Sequence, residues 1–244
     1  MVRVEDVMGT TVMIDVRDGD LAGATLDEVF SWLRFVDATF STYRLDSEIS
    51  RVGRGELELA DAHEDVRGVL ARCNELRAET GGYFDAHTAG ALDPSGLVKG
   101  WSIDRAAELL DRAGARNYAI NAGGDILVRG GALPERHWRV GIQHPEERAS
   151  LARAMAVTEL AVATSGAYER GCHVLDPHTR RPPTGVLSVT VTGPELGTAD
   201  AYATAAYAMG EAGPRWTARL PAGYDALTIL ADGRVLTTPG FPAP

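Results

Sequence analysis

Lysine is all but missing from this chain: of its 24 basic residues only Lys99 is a lysine, and the rest are arginine. An arginine-rich composition explains the excess of arginine but not why the one lysine falls in a glycine-bearing segment, so Lys99 becomes a candidate functional residue. Cysteine is nearly as scarce. Cys73 and Cys172 are too few and too far apart for a disulfide framework or a cysteine metal site, and Cys73 falls on the apolar side of an expected helix. Positive charge is in deficit, with a net charge of −10, which excludes a broad basic face for nucleic acid. Long apolar runs are absent too. No stretch reaches the roughly 18 apolar residues of a membrane span, and the first residues, MVRVEDVMGTTV, lack the apolar core of a signal peptide. The expectation is a soluble protein of a reducing, cytoplasmic compartment.

What is present is ordinary globular material, with 45% hydrophobic and 24% charged residues over 244 positions. Alternation in Thr11 to Val16 predicts a strand ending in an Asp18-Gly19-Asp20 turn. Thr25 and Glu28 form a capping-box pattern, followed by Leu26, Val29, Phe30, Leu33, Val36 and Phe40 at helical spacing. The polar segment Ser41 to Ser50 interrupts it. A second helix carries Val66, Val69, Leu70, Cys73 and Leu76 and stops at Gly81-Gly82, and a third carries Ala106, Leu109 and Leu110 up to Gly114. Strands are expected over 118–121, 126–129, 138–143, 154–158 and 187–192, with a helix over 199–209. Pro214 starts another short helix, and a closing hairpin joins 225–230 to 235–238. Helices early and strands late, without a βαβ rhythm, predict an α+β fold in one domain spanning residues 1–244.

Four segments could carry chemistry. In Asp93-Pro94-Ser95-Gly96-Leu97-Val98-Lys99-Gly100, the glycine permits close approach of a ligand and the following helix offers N–H groups to an anion. The same letters also serve as a capped helix start. In Thr198 to Thr204, Asp200 and Thr204 are four apart and share a helix face, which suits a hard cation such as Mg²⁺; the plain alternative is an acid placed near a helix N-terminus by the macrodipole. His173, after Ala163 to Arg170, is the candidate general base, or else a buried histidine bonded to a loop carbonyl. His63, His87, His137 and His144 are read as structural. Asn121-Ala122-Gly123-Gly124-Asp125-Ile126 is a strand running into a turn, and without a helix after it the dinucleotide-binding reading fails.

In order along the chain, MGTT (8–11), STYRLDSEIS (41–50), GGYFDA (81–86), DPSGLVKGW (93–101), NAGGDI (121–126), WRVGIQHP (138–145), ATSGAYER (163–170), HVLDPHT (173–179) and TADAYAT (198–204) resemble the FAD:protein FMN transferase, or ApbE, family. Nine ordered motifs covering nearly the whole chain are far more specific than any one of them.

The resemblance implies a T-fold-like α+β domain of antiparallel sheets with packed helices. It implies Mg²⁺ as cofactor, FAD as donor, and an acceptor flavoprotein with an Asp-x-x-Ser/Thr-Gly-Ala-Thr segment whose Ser or Thr hydroxyl takes the FMN, releasing AMP. Carried over residue by residue, Met8, Tyr43, Tyr83, Phe84, Asp85, Asp93, Lys99 and Leu175 would contact FAD. Gly96, Asp200, Ala203 and Thr204 would hold the metal, Gly96 and Ala203 through their carbonyls, and His173 would deprotonate the acceptor. The chain departs from the family pattern in three places. Only seven residues, 86–92, lie where many members have a longer insert. Ala203 stands where some have a second aspartate, and Arg180 replaces the glycine expected after Asp-Pro-x-Thr. Two other activities share the same site features: an FAD pyrophosphatase, in which water replaces the hydroxyl, and a non-catalytic FAD-binding protein.

Overall fold

In the computed structural model, residues 1–19, 23–88, 90–133, 136–147, 149–166 and 174–243 are described. Strand β1 (Val2–Val7) turns through Met8-Gly9 into β2 (Thr10–Val16). Both turn residues have positive φ, 56° and 68°, the backbone that matches a two-residue hairpin to the twist of its strands. Val12, Ile14 and Val16 share one buried face of β2, as strict alternation requires.

Helix α1 (Gly23–Phe40) buries Leu26, Val29, Phe30, Leu33, Val36 and Phe40. It begins two residues before Thr25, so Thr25 is a first-turn residue and does not cap the helix as the capping-box pattern suggested. The polar interruption contains a short helix, α2 (Glu48–Gly53): the Ser47 hydroxyl accepts from the Ser50 N–H and donates to the Ser41 carbonyl. Helix α3 (Glu64–Glu79) ends before Gly81 and Gly82, both at positive φ. Cys73 is buried on its inner face, and that burial pushes its thiol up to about 12, leaving it inert.

Within the short 86–92 segment, β3 (His87–Thr88) pairs antiparallel with β4 (Ala91–Leu92), which leads into α4 (Ser95–Arg112). The remaining elements are β5 (Tyr118–Ala122), β6 (Asp125–Arg129), β7 (Trp138–Gln143), β8 (Leu151–Val157), β9 (Leu160–Gly166) and β10 (Val186–Gly193). After them come α5 (Leu196–Ala208), α6 (Gly213–Thr217), β11 (Asp225–Leu230) and β12 (Val235–Thr237).

Among the described residues the main sheet has the order β1-β2-β5-β6-β9-β10-β11-β12, antiparallel throughout. The helices cover one face. There Val12, Ile14, Ile120, Leu127, Ala161, Ala163, Val189 and Val191 meet the apolar sides of α1, α3, α4 and α5. The β7–β8 hairpin covers the other, with Trp138, Val140, Ile142 and Met155 against Val128, Val162, Leu227 and Ile229. This is the α+β arrangement of antiparallel sheets with packed helices expected from the sequence. Strands β1, β3, β4 and β9 are additions to that expectation.

Helices α4 and α5 touch backbone to backbone. A Cβ on Gly100 would lie 2.5 Å from the Leu196 carbonyl oxygen, and one on Gly197 would lie 2.9 Å from the Trp101 nitrogen. Only glycine permits this approach.

Candidate functional site

The glycine contact sets the spacing of the site, because Lys99 precedes Gly100 on α4 and Asp200 lies one turn beyond Gly197 on α5. Asp104, one turn further along α4, reinforces it. Its two carboxylate oxygens accept from the N–H groups of Leu196 and Gly197, each at 2.8 Å, supplying the partners that the first turn of α5 needs. Burial nevertheless raises the Asp104 carboxyl to about 6, with the two N–H donors pulling the other way.

Lys99 sits between two carboxylates. Its ammonium is 3.2 Å from Asp200 Oδ2 and is also paired with Asp125 Oδ2. The acids are almost fully enclosed, at 3% and 6% side-chain exposure for Asp125 and Asp200, while Lys99 keeps 25%. The three charges leave a net −1 at the centre, which a cation could complete, while part of the Lys99 side chain stays exposed. The sequence reading put Lys99 in a turn before a helix. It stands instead inside α4, which starts at Ser95; the N-cap residue is Pro94, which offers no side-chain cap, and Asp93 just before it accepts from the Ser95 N–H at 2.9 Å. Asp200 likewise lies beyond the first turn of α5 and is buried. A solvent-exposed acid complementing the macrodipole is therefore not its setting.

Thr204, the i+4 partner of Asp200, has its hydroxyl 3.2 Å from Ser165 Oγ on β9. A Cβ on Gly96 would stand 3.7 Å from Thr204 Oγ1 and 3.2 Å from the Phe84 ring. Gly96, Thr204, Asp200 and Lys99 are thus brought together by the α4–α5 contact, with Phe84 buried beneath Gly96. Ala203 is fully buried in α5. The donor set here is all oxygen, which suits a hard cation. Among the described residues no group of three or more His, Cys, Asp or Glu could hold a metal by itself. A cation that keeps waters and takes few protein ligands fits these residues; one needing a protein cage does not.

The remaining expected residues make contacts of their own. Met8 occupies the left-handed region at the β1–β2 turn, which is unfavourable for a side chain with a Cβ. Its sulfur lies 3.5 Å from the Ser102 hydroxyl, which donates to the Lys99 carbonyl at 2.7 Å. It also lines a cleft of about 490 Å³ with Gly9, Thr10 and Asp37. Tyr83 stacks edge-on against His178 at 4.6 Å, and His178 Nε2 is 3.1 Å from the Gly81 carbonyl oxygen. Asp85 accepts from Arg77 Nε at 3.1 Å and from the His87 N–H at 2.8 Å. Tyr43 and Leu175 are exposed, and neither has a described contact with the Lys99 centre. His173 and Cys172 lie outside the described residues.

Two site residues were missed in the sequence. Asp125 was read only as part of a turn, and Ser165 only as part of a motif. The available signal was chemical: an acid directly after a glycine pair, in a chain with a single lysine to neutralise it. Arg180 answers another question raised there. It adopts φ 58°, the conformation the expected glycine would take, so the Asp176–Arg181 loop keeps a glycine-like turn. Asp176 braces it by accepting from the His178 N–H and the Thr179 hydroxyl, each at 2.9 Å.

A profile described as the ApbE family matches residues 8–92 and 86–228. The FAD:protein FMN transferase of Rhodobacter capsulatus is 36% identical over 239 residues, covering 88% of this chain and 42% of that protein. The protein of the same name from Haemophilus influenzae is 26% identical over 278 residues, covering 84% and 79%. That of Vibrio cholerae serotype O1 is 35% identical over 130 residues, covering 49% of this chain and 39% of that protein. The chain therefore spans about two fifths of the length of the Rhodobacter and Vibrio relatives. Among solved structures, the flavin transferase ApbE from Vibrio cholerae superposes with a TM-score of 0.85 at 23% identity, covering 99% of this chain and 97% of that one. The ApbE protein from Thermotoga maritima does so with 0.88 at 21%, with the same coverage. Both share the fold described above. No described helix is long and apolar enough to cross a membrane.

Proposed function

Since the chain belongs to the ApbE family, we propose that it transfers the FMN half of FAD onto a Ser or Thr hydroxyl of an acceptor flavoprotein, with Mg²⁺ as cofactor and AMP as the other product. The observation that carries this reading is the Lys99 ammonium. It is paired with two buried carboxylates, on a side chain that keeps 25% exposure, and one of those acids, Asp200, lies one helical turn before Thr204, whose hydroxyl meets Ser165 Oγ. That arrangement suits a pyrophosphate accompanied by a hard cation.

In the proposed reaction the acceptor oxygen bonds to the FMN-side phosphorus as the pyrophosphate P–O bond breaks. The bridging oxygen leaves on AMP, and the hydroxyl proton passes to His173. Lys99 orients the pyrophosphate and offsets its charge. Asp200 and Thr204 side chains, with the Gly96 and Ala203 carbonyls, would hold Mg²⁺, which supplies charge neutralisation on the leaving phosphate. Met8, Tyr43, Tyr83, Phe84, Asp85, Asp93 and Leu175 would complete the FAD site, with Phe84 acting from beneath Gly96. The acceptor segment is Asp-x-x-Ser/Thr-Gly-Ala-Thr, residues 1–244 act as one flavin-transferase domain, and the setting is a reducing, cytoplasmic one.

The test is AMP release from FAD and Mg²⁺ with and without an acceptor carrying that segment. Release that requires the acceptor supports transfer. Release at the same rate without it means a pyrophosphatase, and bound, intact FAD means a carrier.

A further inference from the structure

We propose that Asp125 is a positioning residue that retains Lys99 in the site when a divalent cation takes over Asp200. This rests on the reading that the Asp200–Thr204 centre accepts such a cation. One ammonium is shared by two carboxylates, and the two are not equivalent. Asp200 shares the helix face of Thr204, beside Gly96. Asp125 reaches the same ammonium from the start of β6, and its Oδ1 accepts from the Thr164 N–H at 3.1 Å. With side-chain exposures of 3% and 6%, neither carboxylate can be neutralised by bulk solvent.

A cation arriving at Asp200 must displace the lysine from that carboxylate. With Asp125 present the ammonium keeps a buried partner and need not leave, so cation and lysine charge can occupy the site together. Without the Asp125 charge, Asp200 is the one carboxylate left to Lys99 among the described residues, and lysine and cation compete for it. The Gly123-Gly124 turn supplies the geometry. A Cβ on Gly123 would lie 2.3 Å from the Thr10 hydroxyl, so this turn packs against the β1–β2 hairpin, and Asp125 follows it directly into the sheet.

The experiment is calorimetric titration of the full chain with Mn²⁺ and with Mg²⁺, without FAD, alongside thermal melts. Asp125→Asn should weaken cation binding about 10-fold, and adding Lys99→Met to that variant should restore it to the wild-type level or beyond. Lys99→Met alone, which leaves both acids and removes their competitor, should tighten binding. Wild-type affinity in Asp125→Asn, or a loss that Lys99→Met does not restore, would overturn the proposal; the second pattern would make Asp125 a direct ligand or a structural residue. Unchanged or weaker binding by Lys99→Met alone would overturn it also, even if Asp125→Asn failed to fold. A wild-type chain that binds neither cation would instead remove the metal reading on which the proposal depends.

Discussion

Gly100 and Gly197 hold α4 and α5 so close that a single methyl group on Gly100 would stand 2.5 Å from the Leu196 carbonyl oxygen. That contact fixes Lys99 against Asp200, and through them the spacing of the whole site.

Gly100→Ala tests it. Helix propensity alone favours alanine by about 1 kcal/mol, yet here the methyl group meets rigid backbone, and overpacking of this kind costs about 1–3 kcal/mol. Chemical denaturation should show a less stable variant. A more stable one would mean that the helices are free to separate.

Asp104 makes stability depend on pH. Its folded-state value, about 6, lies above the unfolded value of about 3.9. Its contribution is therefore fully present below pH 4 and is lost as pH rises through 6, on the order of 1–3 kcal/mol. Asp104→Asn lacks this titration. Urea midpoints at pH 4.5 and 7.5 should show wild type losing more stability than the variant across that interval; parallel profiles would contradict the assignment.

Arg180 carries backbone strain that glycine would not. Its left-handed φ costs about 1–2 kcal/mol, while a glycine gains about 0.4–1 kcal/mol of unfolded-state freedom. The Arg180 side chain is exposed and makes no described ion pair. Arg180→Gly should raise stability by about 0.5–1 kcal/mol in thermal or denaturant unfolding. A loss would mean that the Arg180 side chain makes a stabilising contact.

Much of this arrangement was legible in the chain, and the exceptions have physical causes. The periodicity of Leu26 to Phe40 and of Val66 to Leu76 marks helices because each buries one continuous stripe. Strand β1 hides itself: Val2 and Val4 are more than half exposed, while Arg3 and Glu5 lie on its more buried face and pair with each other. That reverses the usual alternation. The Asp200–Thr204 pair could be seen because both residues lie on one helix. Asp125 could not, because it becomes part of the site only when β6 pairs with β9 and α4 packs above them, a juxtaposition of residues far apart in sequence. Asp104 was invisible for the same reason, being 92 residues from the N–H of Leu196 that it accepts.

The most direct measurement is the intact mass of an acceptor carrying Asp-x-x-Ser/Thr-Gly-Ala-Thr after incubation with FAD, Mg²⁺ and this protein. The account predicts an FMN-sized gain on the acceptor. His173→Ala should slow it about 10²–10⁴-fold, the usual worth of a positioned base, and Asp200→Ala should abolish its dependence on Mg²⁺ along with most of the rate. No gain on the acceptor, a gain on this chain alone, or equal rates with all three proteins would contradict the account.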